Sequence, residues 1–367
     1  MKVTYPHMGN AYIAINALLK GLKLEVVPPP PITRRTMELG TKYSPEFACL
    51  PLKINVGNFI EALEQGADTI VMAGGWGPCR FGYYAQVERE ILNDLGYDFD
   101  LVILEAPDFK LTQLIDQIKA LGQNVTLWEA LKILKFAWKK LNAVEQVERA
   151  LEKALPYTDL KDEAEKIYAQ SLQAIDEADE AALVKSLSNE AVAKLQRLPR
   201  HERIVVKIGL VGEIYTILEP ASNYDIGRTM GRLDAEVTQS IYLSEWVNDH
   251  LLGGLVKKSH HSKIVACARP YLSCWVGGHG QETVGSTVDF AHRHYDGVIQ
   301  IGPLTCMPEI VAQSILPVIS EKEGIPCMTM WFDEHSGQAG VNTRLEAFID
   351  MVRRQKCLSE AAICEEA

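Results

Sequence analysis

Residues 297–308 read GVIQIGPLTCMP, and this stretch decides the fold class. An apolar run, GVIQIG, ends at Pro303, and a helical pattern begins at Pro308 and continues to about 322. Apolar runs of this length, bounded by Gly and Pro, are typical of buried strands in parallel sheets. The stretch therefore predicts a strand, a loop containing Cys306 and then a helix.

The same alternation continues on both sides of this stretch. Strands are predicted at 2–5, 24–27, 68–73, 100–104, 203–211, 235–241, 263–267, 297–302 and 327–332. Helical patterns separate them, at about 11–21, 51–65, 82–95, 111–121, 225–233, 243–256, 286–294, 308–322 and 340–354. Alternating strands and helices form parallel sheets with helices on both faces. We expect an α/β fold with two Rossmann-like parallel-sheet domains.

A segment without glycine separates the two parts. None of the 26 glycines lies within residues 123–208, whereas Leu, Ala, Glu and Lys recur there at helical spacing. This pattern predicts a helical insertion without strands, and its simplest interpretation is a solvated spacer without chemistry. The predicted division is an N-terminal Rossmann-like domain at 1–122, a helical segment at 123–202 and a C-terminal Rossmann-like domain at 203–367.

Composition and charge exclude several classes of protein. The hydrophobic fraction of 47% and the charged fraction of 23% are typical of globular proteins. The net charge of −11 disfavours nucleic acid and anionic membranes as partners. The first residues, MKVTYP, resemble a short strand and lack the apolar core of a signal peptide, so we expect a cytoplasmic protein. Its eight cysteines are then better interpreted as buried thiols, metal ligands or catalytic groups than as disulfides.

Three cysteines precede predicted helices in a similar way. Cys49 and Cys306 each stand two residues before a proline that opens a helix, and Cys79 follows the strand at 68–73 and a glycine-rich loop. Helix N-termini favour thiolate, the form that binds iron or zinc. The compact Cys-x-x-Cys spacing is absent, so buried structural thiols remain an alternative for each of the three.

The other cysteines are weaker candidates. Cys267 ends the predicted strand at 263–267, and Cys274 precedes a second glycine-rich stretch, so both are further candidate ligands. Cys327 begins a predicted strand and is expected in the core. Cys357 and Cys364 lie in the acidic C-terminal tail and are expected to have no role.

Several of these stretches together resemble the 2-hydroxyacyl-CoA dehydratase component superfamily. The resemblance is strongest to its short branch of CoA-enzyme-activase-related proteins, which is related to the double-cubane cluster proteins. It covers both α/β parts and is weakest in the glycine-free segment. The stretches that carry it are PPPIT at 29–33, ELGTKYSPEFACLPLK at 38–53, GGWGPCRFGYY at 74–84, VGEIY at 211–215, GGHG at 277–280, GPLTCMPE at 302–309 and VNTRLEAF at 341–348.

The resemblance implies an iron–sulfur redox protein of the cytoplasm in anaerobic metabolism. Family members hold an iron–sulfur cluster with three cysteines per chain, and the matching positions are Cys49, Cys79 and Cys306. A 4Fe–4S cluster is expected, and the cysteine count also permits an 8Fe double cubane. In the family, a separate ATPase with its own cluster delivers low-potential electrons, which reduce or dehydrate a small or CoA-linked substrate.

Three residues are candidates for catalytic or supporting roles beside the cluster. Arg80 follows Cys79 directly and could steady an anionic cluster or pair with a surface acid such as Glu88. His279 lies in the GGHG loop, and Glu213 follows a predicted strand. Glu309, by contrast, is expected to complement the helix dipole at the start of its helix.

Two other classes of function remain open at this stage. The chain could be a non-catalytic partner or regulator of a CoA-enzyme activase, or a cluster-free α/β protein that binds a nucleotide or CoA. Neither G-x-G-x-x-G after the first strand nor G-x-x-x-x-G-K-[ST] occurs, so an ATP site of its own is not expected. The sequence leaves the substrate undecided, and it does not decide whether the chain acts alone, as a homodimer or with a second subunit.

Overall fold

Two four-stranded parallel sheets form the framework of the chain in the computed structural model. The structure describes residues 1–75, 79–104, 117–118, 121–122, 125–250 and 259–366. Helices connect the strands throughout, and three further helices lie between the two sheets in the chain. The predicted fold class, two Rossmann-like parallel-sheet domains with a helical insertion, is therefore confirmed.

The first sheet has the strand order β2–β1–β3–β4, with every pair parallel. Its strands are β1 (Lys2–Thr4), β2 (Glu25–Val26), β3 (Thr69–Ala73) and β4 (Asp100–Leu104). Its described helices are α1 (Tyr12–Gly21), α2 (Arg34–Tyr43), α3 (Leu50–Glu64) and α4 (Tyr84–Asp94), with the 3₁₀-helix Arg80–Tyr83 directly before α4. Because β1 pairs with β2 on one side and β3 on the other, the order reverses between β1 and β3, where ligands of open α/β sheets bind.

Helices α2 and α3 pack at unusually close range. A Cβ at Gly40 would lie 1.8 Å from the carbonyl oxygen of Lys53, and a Cβ at Gly57 would lie 2.0 Å from that of Thr36. Glycine at both positions lets the two backbones touch. This close packing places the first turn of α3, which follows Cys49, against α2.

The second sheet repeats the same strand order, β6–β5–β7–β8, again with parallel pairs. Its strands are β5 (Val206–Gly212), β6 (Ala235–Gln239), β7 (Gly297–Pro303) and β8 (Cys327–Phe332). The helices described between and after them are α8 (Ile214–Leu218), α9 (Pro220–Asn223), α10 (Ile226–Arg232), α11 (Leu243–His250), α12 (His261–Ala268), α13 (Gly280–His292), α14 (Met307–Glu323) and α15 (Gln338–Glu366).

Where it is described, the segment predicted as helical, residues 123–202, consists of helices joined by loops and contains no strand. It forms α5 (Leu127–Ala154), the 3₁₀-helix Leu155–Tyr157, α6 (Lys161–Glu177) and α7 (Ala181–Gln196). The chain divides into two compact units, and both draw residues from this segment. The units are Met1–Val144 with Ile175–Lys185 and Leu243–Ser259, and Glu145–Ala174 with Ser186–Tyr242 and His260–Ala367.

One predicted strand is wrong. Residues 263–267 lie within helix α12, so Cys267 is on a helix and does not end a strand. An apolar run of five residues fits a strand and one face of a short helix equally well. The helix is favoured because its backbone packs directly on α13, where a Cβ at Gly285 would lie 2.1 Å from the carbonyl oxygen of Ile264.

Other elements differ from the prediction in extent. Helices α2, α8 and α9 were not predicted, and α15 continues through Cys357 into the acidic tail. The helix predicted at 111–121 and the second half of that at 243–256 fall largely outside the described residues. Within the described part of the chain, no helix is long and apolar enough to span a bilayer.

Candidate functional site

Both candidate cysteines of the N-terminal unit stand at helix starts. Cys49 is the N-cap of α3, with Pro51 in the first turn, and it is buried with 9% of its surface exposed. Cys79 is half-buried and is the N-cap of the 3₁₀-helix Arg80–Tyr83. The placement before a helix is thus observed for both, and the free N–H groups of a helix start favour negative charge.

Arg80 connects the two cysteine-bearing segments. Its Nη1 atom donates a 2.7 Å hydrogen bond to the carbonyl oxygen of Phe47, two residues before Cys49. Glu88, the acid considered as its partner, is instead buried and accepts a 3.3 Å hydrogen bond from Nδ2 of Asn55. Arg80 therefore fixes the loop before α3 to the loop after β3.

A phenol also reaches Cys49. The Oη atom of Tyr84, the first residue of α4, is hydrogen-bonded to Sγ of Cys49. Sequence analysis did not identify Tyr84, because it lies 35 residues from Cys49 along the chain. Its neighbour Tyr83 is a matched contrast, since it is 65% exposed.

Cys306 of the C-terminal unit stands at a third helix start. It is half-buried, follows the end of β7 after two intervening residues and is the N-cap of α14, with Pro308 in the first turn. The preceding Thr305 has a φ of 71°, a left-handed conformation that β-branched residues rarely adopt. Such strain persists only where the surrounding structure imposes it, and it is concentrated at functional sites.

Cys79 and Cys306 occupy corresponding positions in the two sheets. Each lies between the third strand of its sheet in chain order and the helix that leads to the fourth. In both sheets this loop leaves the strand that pairs with the first, at the edge where the strand order reverses. The two cysteines therefore share one position in the fold, which favours a common role for them over two unrelated structural thiols.

The GGHG loop lies against the helix start that carries Cys306. His279 is the N-cap of α13, and the two preceding glycines have positive φ angles of 90° and 45°. A Cβ at Gly280 would lie 2.4 Å from the carbonyl oxygen of Pro308. The glycines thus permit a close approach that places His279 near the first turn of α14.

Glu213 is a helix cap in this structure. It is the N-cap of α8, and its carboxylate accepts hydrogen bonds from the backbone N–H groups of Tyr215 and Thr216, both at 2.9 Å. It also accepts the Thr216 hydroxyl at 2.8 Å. These three hydrogen bonds give Glu213 a structural role as a helix cap, which makes it a weaker candidate for a catalytic group.

Glu309 lies in the first turn of α14, the position expected of a residue that complements the helix dipole, but its surroundings are not those of a surface acid. It is fully buried, and its carboxyl accepts hydrogen bonds from the Thr283 hydroxyl at 3.0 Å and from Nε2 of Gln300 at 2.9 Å. Burial raises its pKa to about 8, and the nearby carboxylates of Glu213 and Glu282 act in the same direction. It is therefore largely uncharged at neutral pH and links α14 to α13 and β7.

The remaining cysteines are less suited to bind a metal. Burial raises the pKa of Cys327 to about 12, and it also raises the pKa of Cys267, which packs against the core between α12 and α14. Cys274 is exposed, and Cys357 is half-buried on α15. The side chain of Cys364 lies outside the described residues.

Within the described residues, no group of three or more His, Cys, Asp or Glu side chains is arranged as a metal site. Cys49 and Cys79 belong to one compact unit and Cys306 to the other, and the structure describes each unit by itself. Trp76, Gly77 and Pro78, in the loop before Cys79, lie outside the described residues.

Compared with known protein families and with curated proteins, the chain matches none.

Proposed function

We propose that the chain is an iron–sulfur redox protein of the 2-hydroxyacyl-CoA dehydratase type, with Cys49, Cys79 and Cys306 as cluster ligands. The observation that carries the proposal is the equivalent position of Cys79 and Cys306 after the third strand of each sheet. The donor set fits such a group, because iron–sulfur clusters are held by cysteine thiolates. When bound, the cluster would supply single electrons of low potential.

The chain's own residues support thiolate at each position. Each of the three cysteines is the N-cap residue of a helix or 3₁₀-helix, so backbone N–H groups that lack a helical partner lie beside it. The hydrogen bond from Arg80, which follows Cys79 directly, places its guanidinium charge at the Phe47 carbonyl, two residues before Cys49. These groups favour an anionic ligand set and orient it.

The proposal includes a separate ATPase as electron donor. No phosphate-loop motif occurs in the sequence, so the energy for a low-potential electron must come from another protein. Three apolar residues near Cys306 in the sequence are exposed to a little under half of their surface: Leu304 at 45%, Met307 at 43% and Ile310 at 46%. Exposed apolar side chains next to a redox group suit a transient docking surface.

The substrate is proposed as a small or CoA-linked molecule that is reduced or dehydrated. Of the three candidate residues, His279 has the position best suited to act on it, because the GGHG loop brings it to the helix start after Cys306. Arg80 is hydrogen-bonded to the loop before α3, and Glu213 caps α8, so we assign both residues a role in positioning the loops.

Anaerobic iron and sulfide analysis tests the proposal. The protein, purified without oxygen and reconstituted with iron and sulfide, should be brown and should contain both elements in similar amounts. Replacing Cys49, Cys79 or Cys306 by Ala should remove roughly half or more of the iron, since each change deletes a charged ligand. Cys357→Ala is the matched control and should retain the full content. A colourless protein, or equal iron in all four variants, would overturn the assignment.

A further inference from the structure

The contact between Cys49 and Tyr84 joins two helix starts in the N-terminal unit. Cys49 is the N-cap of α3, Tyr84 is the first residue of α4, and Sγ of Cys49 is hydrogen-bonded to Oη of Tyr84. Both side chains are buried, with 9% and 5% of their surfaces exposed. A buried hydrogen bond of this kind is held in place and is shielded from competition by water.

The phenol ring of Tyr84 packs against a neighbouring aromatic ring. The rings of Tyr84 and Phe81 pack edge to face, with centroids 5.4 Å apart and an interplanar angle of 67°. Phe81 in turn fills the space beside Gly75, where a Cβ would lie 2.7 Å from its Cδ1 atom. Tyr84 is therefore held by the segment that contains Cys79 while its hydroxyl reaches Cys49.

The chemistry of the pair depends on which atom donates. A thiolate sulfur can only accept a hydrogen bond, whereas a phenol can donate one. Donors to cluster sulfurs stabilise the more negative, reduced state, and hydrogen bonds to the sulfurs are one of the means by which proteins set the reduction potential.

We propose that Tyr84 is a positioning residue that donates its Oη–H to Sγ of Cys49 and thereby raises the reduction potential of the bound cluster. This inference rests on the proposed function, because it needs Cys49 to be a cluster ligand. It adds to that proposal a specific residue outside the ligand set, and it assigns that residue an electronic effect that iron content alone would not reveal.

A redox titration of three proteins tests the inference. Tyr84→Phe keeps the ring and removes only the hydroxyl, and Tyr83→Phe makes the same change at the exposed neighbouring tyrosine. With equal iron in all three, the midpoint potential of Tyr84→Phe should shift to a more negative value, whereas Tyr83→Phe should match the unchanged protein. A merely structural role for Tyr84 would not shift the potential in a folded, fully loaded variant.

A thermodynamic cycle in the metal-free protein tests the contact independently of the cluster. The effects of Cys49→Ala and Tyr84→Phe on unfolding should not be additive, because either change alone breaks the hydrogen bond. Additive effects, or equal potentials in the three loaded proteins, would overturn the role of Tyr84 and leave the proposed function intact. Failure of the unchanged protein to bind iron would overturn both.

Discussion

Asp68 and Asp296 make the same contacts in the two sheets. The Asp68 carboxylate accepts the backbone N–H of Lys2 at 2.6 Å, and its own N–H donates to the Lys2 carbonyl at 2.9 Å. Asp296 does the same with Lys207, at 2.7 Å and 2.8 Å. Each aspartate thus aligns the start of the third strand of its sheet with the first.

The two aspartates differ in burial, which predicts unequal effects of substitution. The Asp296 side chain is 18% exposed and also accepts Nζ of Lys356 at 2.9 Å, whereas that of Asp68 is 51% exposed. We expect Asp296→Ala to lower the free energy of unfolding by about 2–3 kcal/mol and Asp68→Ala by about 1 kcal/mol or less. Urea unfolding followed by circular dichroism measures both, and equal losses would contradict the account.

Glu309 predicts a dependence of stability on pH. Its pKa is raised from 4.5 to about 8 in the folded protein, so the folded state holds a proton that the unfolded state releases between these values. The free energy of unfolding should therefore fall as pH rises from about 5 to about 8. By pH 7 the contribution of Glu309 should have fallen by an amount on the order of 3 kcal/mol from its value below pH 4.5.

The substitution Glu309→Gln isolates this contribution. The amide cannot ionise and can still bond to Thr283 and Gln300, so the variant should lose part of the slope with pH. Burial also raises the pKa values of Glu88 and Glu152 to about 8, so these two residues should still contribute to the slope in the variant. Glu346→Gln, an exposed change on α15, is the control and should retain the full slope. Identical pH profiles for the three proteins would refute the prediction.

The close packing of α2 on α3 predicts a strong effect of one methyl group. Because a Cβ at Gly40 would lie 1.8 Å from a backbone oxygen of α3, Gly40→Ala must separate the two helices. We expect a loss of roughly 2–4 kcal/mol of stability. Gly227, a helical glycine of α10, has no atom within 4 Å of the position of a Cβ, so Gly227→Ala should be neutral or slightly stabilising. Thermal unfolding compares them, and a neutral Gly40→Ala would show that the contact is looser than described.

Electron delivery should depend on ATP. The anaerobic protein, mixed with a reduced cluster-bearing ATPase, should lose visible absorption with ATP present and remain unchanged without it. Ile310→Asp places a charge among the exposed apolar residues beside Cys306 and should slow this bleaching by about tenfold. Glu346→Gln should react at the unchanged rate. Bleaching that is equally fast without ATP would remove the basis for an ATP-driven electron donor.

The strands and the helix starts could be predicted from local sequence. Apolar runs alternating with helical patterns correctly predicted all four strands of each sheet, and prolines two residues after Cys49 and Cys306 correctly predicted the helices that follow them. These features depend on neighbouring residues, so local rules suffice. The predicted strand at 263–267 failed for the same reason, since packing of its backbone on Gly285 is not a local property.

The polar partners could not be predicted. Tyr84 meets Cys49 across 35 residues, and Glu309 is buried because Thr283 and Gln300 come from two other elements. A glutamate in a first helical turn has the same local sequence whether it is solvated or buried. Whether Glu309 is buried depends on the packing of α14 against α13 and β7, and the periodicity of the sequence does not predict that packing.

The parallel strand order also determines how this protein must fold. The contacts that align the first and third strands join residues 66 apart in one sheet and 89 apart in the other. The chain must close these long loops before either sheet gains its central pairing, which slows folding and leaves unpaired strands exposed meanwhile. Slow, dilute refolding and synthesis at low temperature are therefore the conditions under which intact protein should accumulate, because yield is set by folding rate and aggregation more than by final stability.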